Sequence, residues 1–285
     1  MIITNNYNLP EVLINSVEET HKPVDKHYSV TTLLKPVRET LLKRRHYDEI
    51  TQDISDMVWL IFGSAVHKLI EDADKSGFAE FKLEEQILDG YSLTGIVDLY
   101  DEEHFTVNDW KTTTVYKILN EEFEDWRKQG LMYAWLLRKR GYHVSKLKFN
   151  ALLKDWSSKD SKFKENYPKH PIYVWEYEVT EMNMQEIESF IKTQIKLIIA
   201  CEKLADDDLP MCSMEERWNP GDKYAVMRSG RKTAIKICDS KEEAESLITG
   251  SDIYIETRKG EDKKCDNYCL CKEFCSYWRN KNEKK

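Results

Sequence analysis

The sequence predicts an α/β chain of the α+β kind: a mixed central β-sheet flanked by helices, with a small cysteine-rich subdomain at the C-terminus. Three observations carry this. Alternating apolar residues mark strands between Phe81 and Lys111 and again after Lys146. Helical periodicity fills the intervals before, between and after them, the pattern of a sheet covered by helices. Cys265, Cys269, Cys271 and Cys275 crowd into the last stretch. The expected division is an N-terminal arm over 1–27, a core over 28–205, and a subdomain over 206–285 that closes on the core.

In chain order, residues 1–27 show weak periodicity and suggest a loosely attached arm. Ser29 suits the N-cap of a helix through Leu33, Val37 and Leu41, with Pro36 in its first turns. A second helix is expected over 51–75. It is apolar nearly all round from Met57 to Phe62 and therefore expected to be buried. Gly63 and His67 lie four apart on one of its faces. Phe81–Leu88 alternates as a strand, Asp89-Gly90 is a two-residue hairpin turn, and strands ending at Asp98 and Lys111 complete a meander. A long helix over about 116–140 sets Gln129 and Tyr133 on one face. Strands at Lys146–Leu153 and Ile172–Val179 pair across a loop or flap rich in lysine and serine, and an amphipathic helix covers 182–205. Beyond it, a hairpin from Tyr224 to Cys238 carries the basic tip Arg228-Ser229-Gly230-Arg231-Lys232. A short helix at Lys241–Thr249 and a strand at Ile253–Thr257 follow.

The stretch Gly95–Lys111 carries the chemistry. Asp98 sits on one strand, Asp109 and Lys111 on the next, and alternation puts the latter two on one face. Two carboxylates suit Mg²⁺ or Mn²⁺, and a lysine beside the metal suits positioning of a water for attack on a phosphate. The alternative reading of the same residues is a structural ion pair. His67 is either a satisfied core histidine or a metal ligand, and Gln129 and Tyr133 are either packing residues or phosphate contacts.

Composition bounds the class. The 285 residues are 41% hydrophobic and 33% charged, with 8 Trp and 15 Tyr, which excludes a disordered chain. No apolar run reaches membrane-spanning length, and Met1–Asn8 lacks a basic start, so a cytoplasmic location and no membrane partner are expected. The 7 Cys are then thiols or metal ligands rather than disulfides. The net charge is −8, but residues 138–169 hold ten Lys or Arg against three acids, and residues 35–45 hold five against one. Basic segments beside an acidic site suit a phosphodiester substrate.

Taken in order, Gly63-x-x-x-His67, Gly95-x-x-Asp98, Asp109-Trp110-Lys111 and Gln129-x-x-x-Tyr133 resemble the RecB-type branch of the PD-(D/E)XK nuclease superfamily over roughly residues 28–200. The resemblance implies a restriction-endonuclease-like core and a DNA exonuclease dependent on Mg²⁺ or Mn²⁺. By it, His67, Asp98, Asp109 and the Trp110 carbonyl bind the metal, Lys111 orients the attacking water, and Gln129 and Tyr133 position DNA. Position 109 departs from the commonest pattern in being Asp rather than Glu. The Asp155-Trp156 stretch and the tail resemble phage-encoded exonucleases, which implies host cytoplasm and a role in phage or mobile-element DNA recombination, repair or degradation.

The tail is also similar to the cysteine clusters of iron–sulfur nucleases, including exonucleases of CRISPR adaptation. Cys269-x₅-Cys275 matches their last gap, and Cys265-x₃-Cys269 is one residue longer than usual. Those proteins take a further cysteine from before the core. Here none precedes Cys201, which leaves Cys212 as fourth ligand and Cys271 as its competitor. The expected group is [4Fe–4S], with Zn²⁺ as the alternative, while Cys201 and Cys238 fall in apolar stretches as core residues. The rival to a nuclease is a non-catalytic DNA-binding or recombination-partner protein on the same fold. Cleavage polarity, single- or double-strand preference, action on RNA and oligomeric state are left open.

Overall fold

The computed structural model describes residues 1–17, 22–88 and 90–283, and they divide into two compact units, Met1–Leu204 and Ala205–Lys285. Asp89 of the expected hairpin turn lies outside the described residues, as do 18–21 of the expected arm. Gly90 beside that turn has φ +79°, the left-handed region that glycine adopts without strain.

The first unit is built on a six-stranded mixed sheet. Its strands are β1 (His27–Ser29), β2 (Ala79–Leu88), β3 (Tyr91–Asp101), β4 (Thr106–Thr113), β5 (Lys146–Leu153) and β6 (Ile172–Glu178). The long strand β3 is central. Along one edge it pairs antiparallel with β2. Along the other it pairs with β1 through residues 92–94, in parallel, and with β4 through residues 99–101, antiparallel. Residues 95–98 lie in the fork between these two partners. β4 runs parallel to β5, and β5 pairs antiparallel with β6, the two strands expected to pair at Lys146 and Ile172.

Four helices matter for the site: α1 (Val37–Arg45), α2 (Val58–Ala73), α3 (Glu124–Lys139) and α4 (Glu181–Cys201). α3 crosses between β4 and β5 and buries Leu131, Met132, Leu136 and Leu137. α4 contributes Ile187, Ile191 and Ile195 to the same interior. Leu93 and Val97 of β3, with Leu147 and Phe149 of β5, are fully buried. Removing these apolar surfaces from water is the main favourable contribution to folding.

Several expectations change. Pro36 separates a four-residue helix, Val30–Leu33, from α1 rather than lying inside one helix, because its missing N–H and fixed φ suit a helix start. Ser29 does cap the first of these, its Oγ accepting from the Thr32 amide. Residues 1–17 are not a loose arm: Ile2–Thr4 pairs in parallel with Thr51–Asp53, and Val17 packs with Ile54 and Met57. The helix expected to begin at 51 starts at Val58, after that strand and a 3₁₀ turn. Nor is α2 buried. Trp59 is 56% exposed, and Val58, Leu60, Phe62 and Leu69 are exposed too. The apolar residues run round the whole helix, but the sheet meets the face that carries Gly63, near Thr112, and His67, near Asp98 and Glu80. The helix over 116–140 breaks at residues 120–123 into Val115–Leu119 and α3. The flap between β5 and β6 contains a short helix, Ser158–Phe163, capped by Ser157.

The second unit holds a three-stranded antiparallel sheet, in the order β8 (Lys236–Cys238), β7 (Lys223–Arg228), β9 (Ile253–Arg258). A short helix, α5 (Lys241–Ser246), covers one face and buries Ala244 against Val226 and Cys238. Segments before and after this sheet are tied by one carboxylate. Asp262, 3% exposed, accepts from Arg217 Nε (3.0 Å), Asn219 Nδ2 (2.7 Å), Tyr277 OH (2.8 Å) and Lys281 Nζ (3.1 Å).

Candidate active site

The fork in β3 builds the site. Beyond the Leu99–Asn108 pair the ladder between β3 and β4 ends, and Asp98 Oδ2 takes the place of a backbone carbonyl by accepting from the Trp110 amide at 2.7 Å. That bond fixes the carboxylate and leaves Oδ1 facing α2, where it lies 3.4 Å from His67 Nδ1.

On the other edge of β3, Glu80 stands opposite Asp98 in the register set by Ala79–Leu99 and Phe81–Val97. Glu80 Oε1 is also 3.4 Å from His67 Nδ1. His67, Glu80 and Asp98 each offer one ligand atom within 4.8 Å of the others. Glu80 has φ +47°, a left-handed conformation costing a side-chain-bearing residue about 1 kcal/mol or more. They border an open cleft of about 370 Å³ lined also by Ser64, Lys68, Glu71 and Ile96.

Two carboxylates facing each other across a strand pair repel unless a cation lies between them. Accordingly, burial and the neighbouring Asp98 charge push the Glu80 carboxyl above the usual range. The hydrogen bond with Asp98 raises the proton affinity of His67 despite burial, and the Glu80 and Asp109 charges add to it. The group is a set of hard oxygen donors with one imidazole, which fits Mg²⁺ or Mn²⁺.

Asp109 and Lys111 share a face of β4, as alternation requires, with Lys111 Nζ 2.7 Å from Asp109 Oδ2. Asp109 is 1% exposed, and neither carboxylate oxygen receives a hydrogen bond of good geometry. Burial pushes its carboxyl well up, the Lys111 ammonium opposes this, and the Asp98 charge reinforces it. A buried carboxylate with no well-aligned donor besides this one ammonium contact is suited to a cation. Lys111 also donates to Gln129 Oε1 (2.8 Å), and Gln129 Nε2 donates to the Tyr133 hydroxyl (2.9 Å). The i, i+4 pair on α3 thus holds the ammonium from the far side. α3 approaches closely because position 95 is glycine: a Cβ there would stand 2.8 Å from Leu136 Cδ1 and 3.2 Å from the Tyr133 ring.

The structure therefore brings His67 and Asp98 together, links Asp109, Lys111, Gln129 and Tyr133 in a chain beside them, and adds Glu80. The sequence gives no sign of Glu80 at the site, because Asp89-Gly90 implies a simple two-residue hairpin. An irregularity between Gln86 and Leu88 shifts the register by one and carries Glu80, rather than Phe81, opposite Asp98.

The basic segments are redistributed. Of the ten cations in 138–169, Arg138 pairs with Glu181, Lys139 with Glu188, Lys146 and Lys148 with Glu176, and Lys164 with Asp160. Neighbouring elements supply acids that the linear count cannot see. The larger basic concavity, about 650 Å³, lies beside Gly95 and Ile96. Lys22, Lys35, Lys43, Arg44, Lys82 and Arg140 line it, against Glu39 and Glu84.

In the second unit the Cys212 thiol is pushed up to about 12, by burial first, then by Glu216 and by Cys265, Cys275 and Cys269 nearby. The Cys265 thiol is pushed up to about 11 by burial and by Cys269, Asp262 and Cys275. Cys271 is buried, its sulfur 3.6 Å from that of Cys269. No helix among the described residues is long and apolar enough to cross a membrane.

Residues 16–276 match the family model of the PD-(D/E)XK nuclease superfamily. Among solved structures, the chain is similar to SSO0001 at 20% identity and TM-score 0.46, covering 66% of this chain and 84% of that one. It is similar to a phage-related exonuclease from Haemophilus somnus 129PT at 11% identity and TM-score 0.28, covering 57% and 73%. It is also similar to LHK-Exo, solved in complex with dAMP, at 13% identity and TM-score 0.33, covering 60% and 91%. No curated protein matches.

Proposed function

Because this chain belongs to the PD-(D/E)XK nuclease superfamily, we propose that the corner between β3, β4 and α2 hydrolyses phosphodiester bonds of DNA, working inward from ends. The observation that carries this is the convergence of Asp98, His67 and Glu80 at 3.4 Å beside the Asp109–Lys111 pair. Pure binding needs neither facing carboxylates nor a wholly buried carboxylate held by a lysine ammonium beside them.

His67, Asp98, Asp109 and the Trp110 carbonyl would hold a divalent cation, with Glu80 within reach of the same position. When bound, Mg²⁺ or Mn²⁺ supplies Lewis acidity and lowers the pKa of a coordinated water. The chain's own residues do the rest. Asp98 is oriented by the Trp110 amide, so its free oxygen keeps one direction. Lys111, held between Asp109 and Gln129, places a proton donor where a water or phosphate oxygen would stand. Gln129 and Tyr133 fix that ammonium and border the DNA. The basic concavity beside Gly95 and Ile96 supports a polyanion running past the site. The exonuclease reading rests on the resemblance of the ordered motifs. So does a role in phage or mobile-element DNA metabolism in the cytoplasm.

For the second unit, we infer that Cys212, Cys265, Cys269 and Cys275 hold one [4Fe–4S] cluster, or zinc, with Cys271 as the competing ligand. The support for this reading is the cysteine spacing, with its resemblance to iron–sulfur nucleases. A brown protein with broad absorbance near ~400 nm supports the cluster, and colourless protein with one zinc the alternative.

The functional test is incubation of end-labelled single- and double-stranded linear DNA, beside closed circular DNA, with Mg²⁺, Mn²⁺ or EDTA. Metal-dependent loss of linear DNA with circles spared is expected. Binding without cleavage in every condition would select the non-catalytic DNA-binding rival.

A further inference from the structure

The hairpin formed by β7 and β8 has no part in the site above, yet its composition is extreme. From Lys223 to Cys238 there are five basic residues and no acid. Three of the five are matched by acids from outside the hairpin: Lys223 by Asp239, Arg228 by Asp252 and Lys236 by Glu243. Among the described residues, Arg231 and Lys232 at the tip have no ion-pair partner, and both are exposed.

Strand alternation separates the two faces of this sheet. Tyr224, Val226, Cys238, Ile253 and Ile255 point toward α5, which brings Glu242, Glu243 and Glu245 to that side. The opposite face carries Ile235, Met227 and Tyr254 in one row, since the Ile235 amide bonds to the Val226 carbonyl and Tyr254 pairs with Met227. Met227 is buried, with the Arg258 guanidinium 3.9 Å from its sulfur. Ile235, Ile237 and Tyr254 are 46%, 53% and 47% exposed. The row crosses three strands, about 10 Å, and ends three residues from the basic tip.

We propose that this sheet face and its tip bind single-stranded DNA, with bases laid on Tyr254, Ile235 and Ile237 and phosphates met by Arg231 and Lys232, since Arg258 is already paired with Glu256. The charge selects a polyanion, and the flat apolar row selects one whose bases are unstacked and free to lie on it, which a duplex does not offer. A protein partner of acidic character would match the tip but leave the apolar row without purpose. The proposal rests on the nuclease reading only for its choice of DNA. It assigns the second unit a strand-holding role independent of the metal corner.

The test is fluorescence anisotropy of a labelled oligothymidine with the full chain in EDTA, so that cleavage plays no part. Arg231→Glu/Lys232→Glu is expected to weaken binding at least tenfold and to make its salt dependence shallower by about one to two in log–log slope. Tyr254→Ala is expected to weaken it severalfold with the slope unchanged, the signature of lost stacking rather than lost charge. All three positions are exposed, so circular dichroism and melting temperature should match the wild type. Unchanged affinity in both variants, or a duplex of equal length bound as tightly as the single strand, would overturn the proposal. Hairpin-dependent binding by a chain that cleaves nothing under any metal would sink the nuclease reading and leave this one standing.

Discussion

Lys111 Nζ lies 2.7 Å from Asp109 Oδ2, and this ammonium is the only cation on that wholly buried carboxylate among the described residues. Taking the ammonium away leaves a charge with no partner, which in buried pairs costs about 3–5 kcal/mol unless the carboxyl takes up a proton. Lys111→Ala is therefore expected to lower the melting temperature of metal-free protein and to abolish cleavage. Asp109→Asn is expected to abolish cleavage while remaining as stable as the parent, since burial already disfavours the ionised form. Paired thermal melts and cleavage assays check both. Equal stability of Lys111→Ala and the parent in EDTA would show that the pair is not what holds Asp109.

The two glycines of the ordered motifs are expected to respond in opposite directions. A methyl group at Gly95 meets Leu136 at 2.8 Å and the Tyr133 ring at 3.2 Å. Gly95→Ala should then cost about 1–3 kcal/mol through overpacking and disturb the Gln129–Tyr133 bond that steadies Lys111. At Gly63 the nearest atom is 3.6 Å away, an ordinary contact, and the site is inside a helix. Gly63→Ala should be neutral or stabilise by up to about 1 kcal/mol from helix propensity. Chemical denaturation of the two variants reads the difference directly.

The second unit should be acid-labile. Burial pushes the Asp262 carboxyl up, but hydrogen bonds from Asn219, Tyr277, Lys281 and Arg217 together outweigh it and hold the group far below the usual range. A carboxyl depressed in the folded state contributes stability that is complete above its unfolded pKa, near ~4. That stability is lost as pH falls below this toward the folded value. Melting temperature between pH 7 and pH 3, followed by tryptophan fluorescence, should fall for the wild type. Asp262→Asn should start lower and change less. A variant with the wild-type pH profile would remove Asp262 from this role.

Loss of any one of Cys212, Cys265, Cys269 or Cys275 is expected to lower stability or solubility by releasing the shared metal site and the loop it closes. Metal content by elemental analysis should fall with each serine variant and hold in Cys201→Ser. Full metal content in Cys212→Ser would give its place to Cys271.

Much of the architecture was legible because periodicity reports it directly. The meander ending at Lys111, the strand at Lys146 and the helix over 182–205 all follow from which faces repeat. What escaped depended on information that is not local. The slip between Gln86 and Leu88, which carries Glu80 to Asp98, leaves no mark in composition. The exposure of Trp59 and its neighbours depends on which face of α2 the sheet covers, and that is the face of Gly63 and His67. The basic run over 138–169 looked like a groove until strands and helices distant in sequence supplied Glu176, Glu181 and Glu188. The helix boundaries at Pro36 and at 120–123 differ from the expected ones for a simpler reason, because apolar spacing continues across both while the backbone does not.

The central claim, that the Asp98–His67–Glu80 corner and the Asp109–Lys111 pair form one hydrolytic centre, is tested most directly on one end-labelled linear DNA. Wild type, Asp98→Asn and Lys111→Met are compared with Mg²⁺, Mn²⁺ and EDTA, each protein first shown to be folded. Cleavage by the wild type with either metal, none in EDTA, and a loss of at least a hundredfold in both variants is the predicted result. Undiminished cleavage by either folded variant would contradict it.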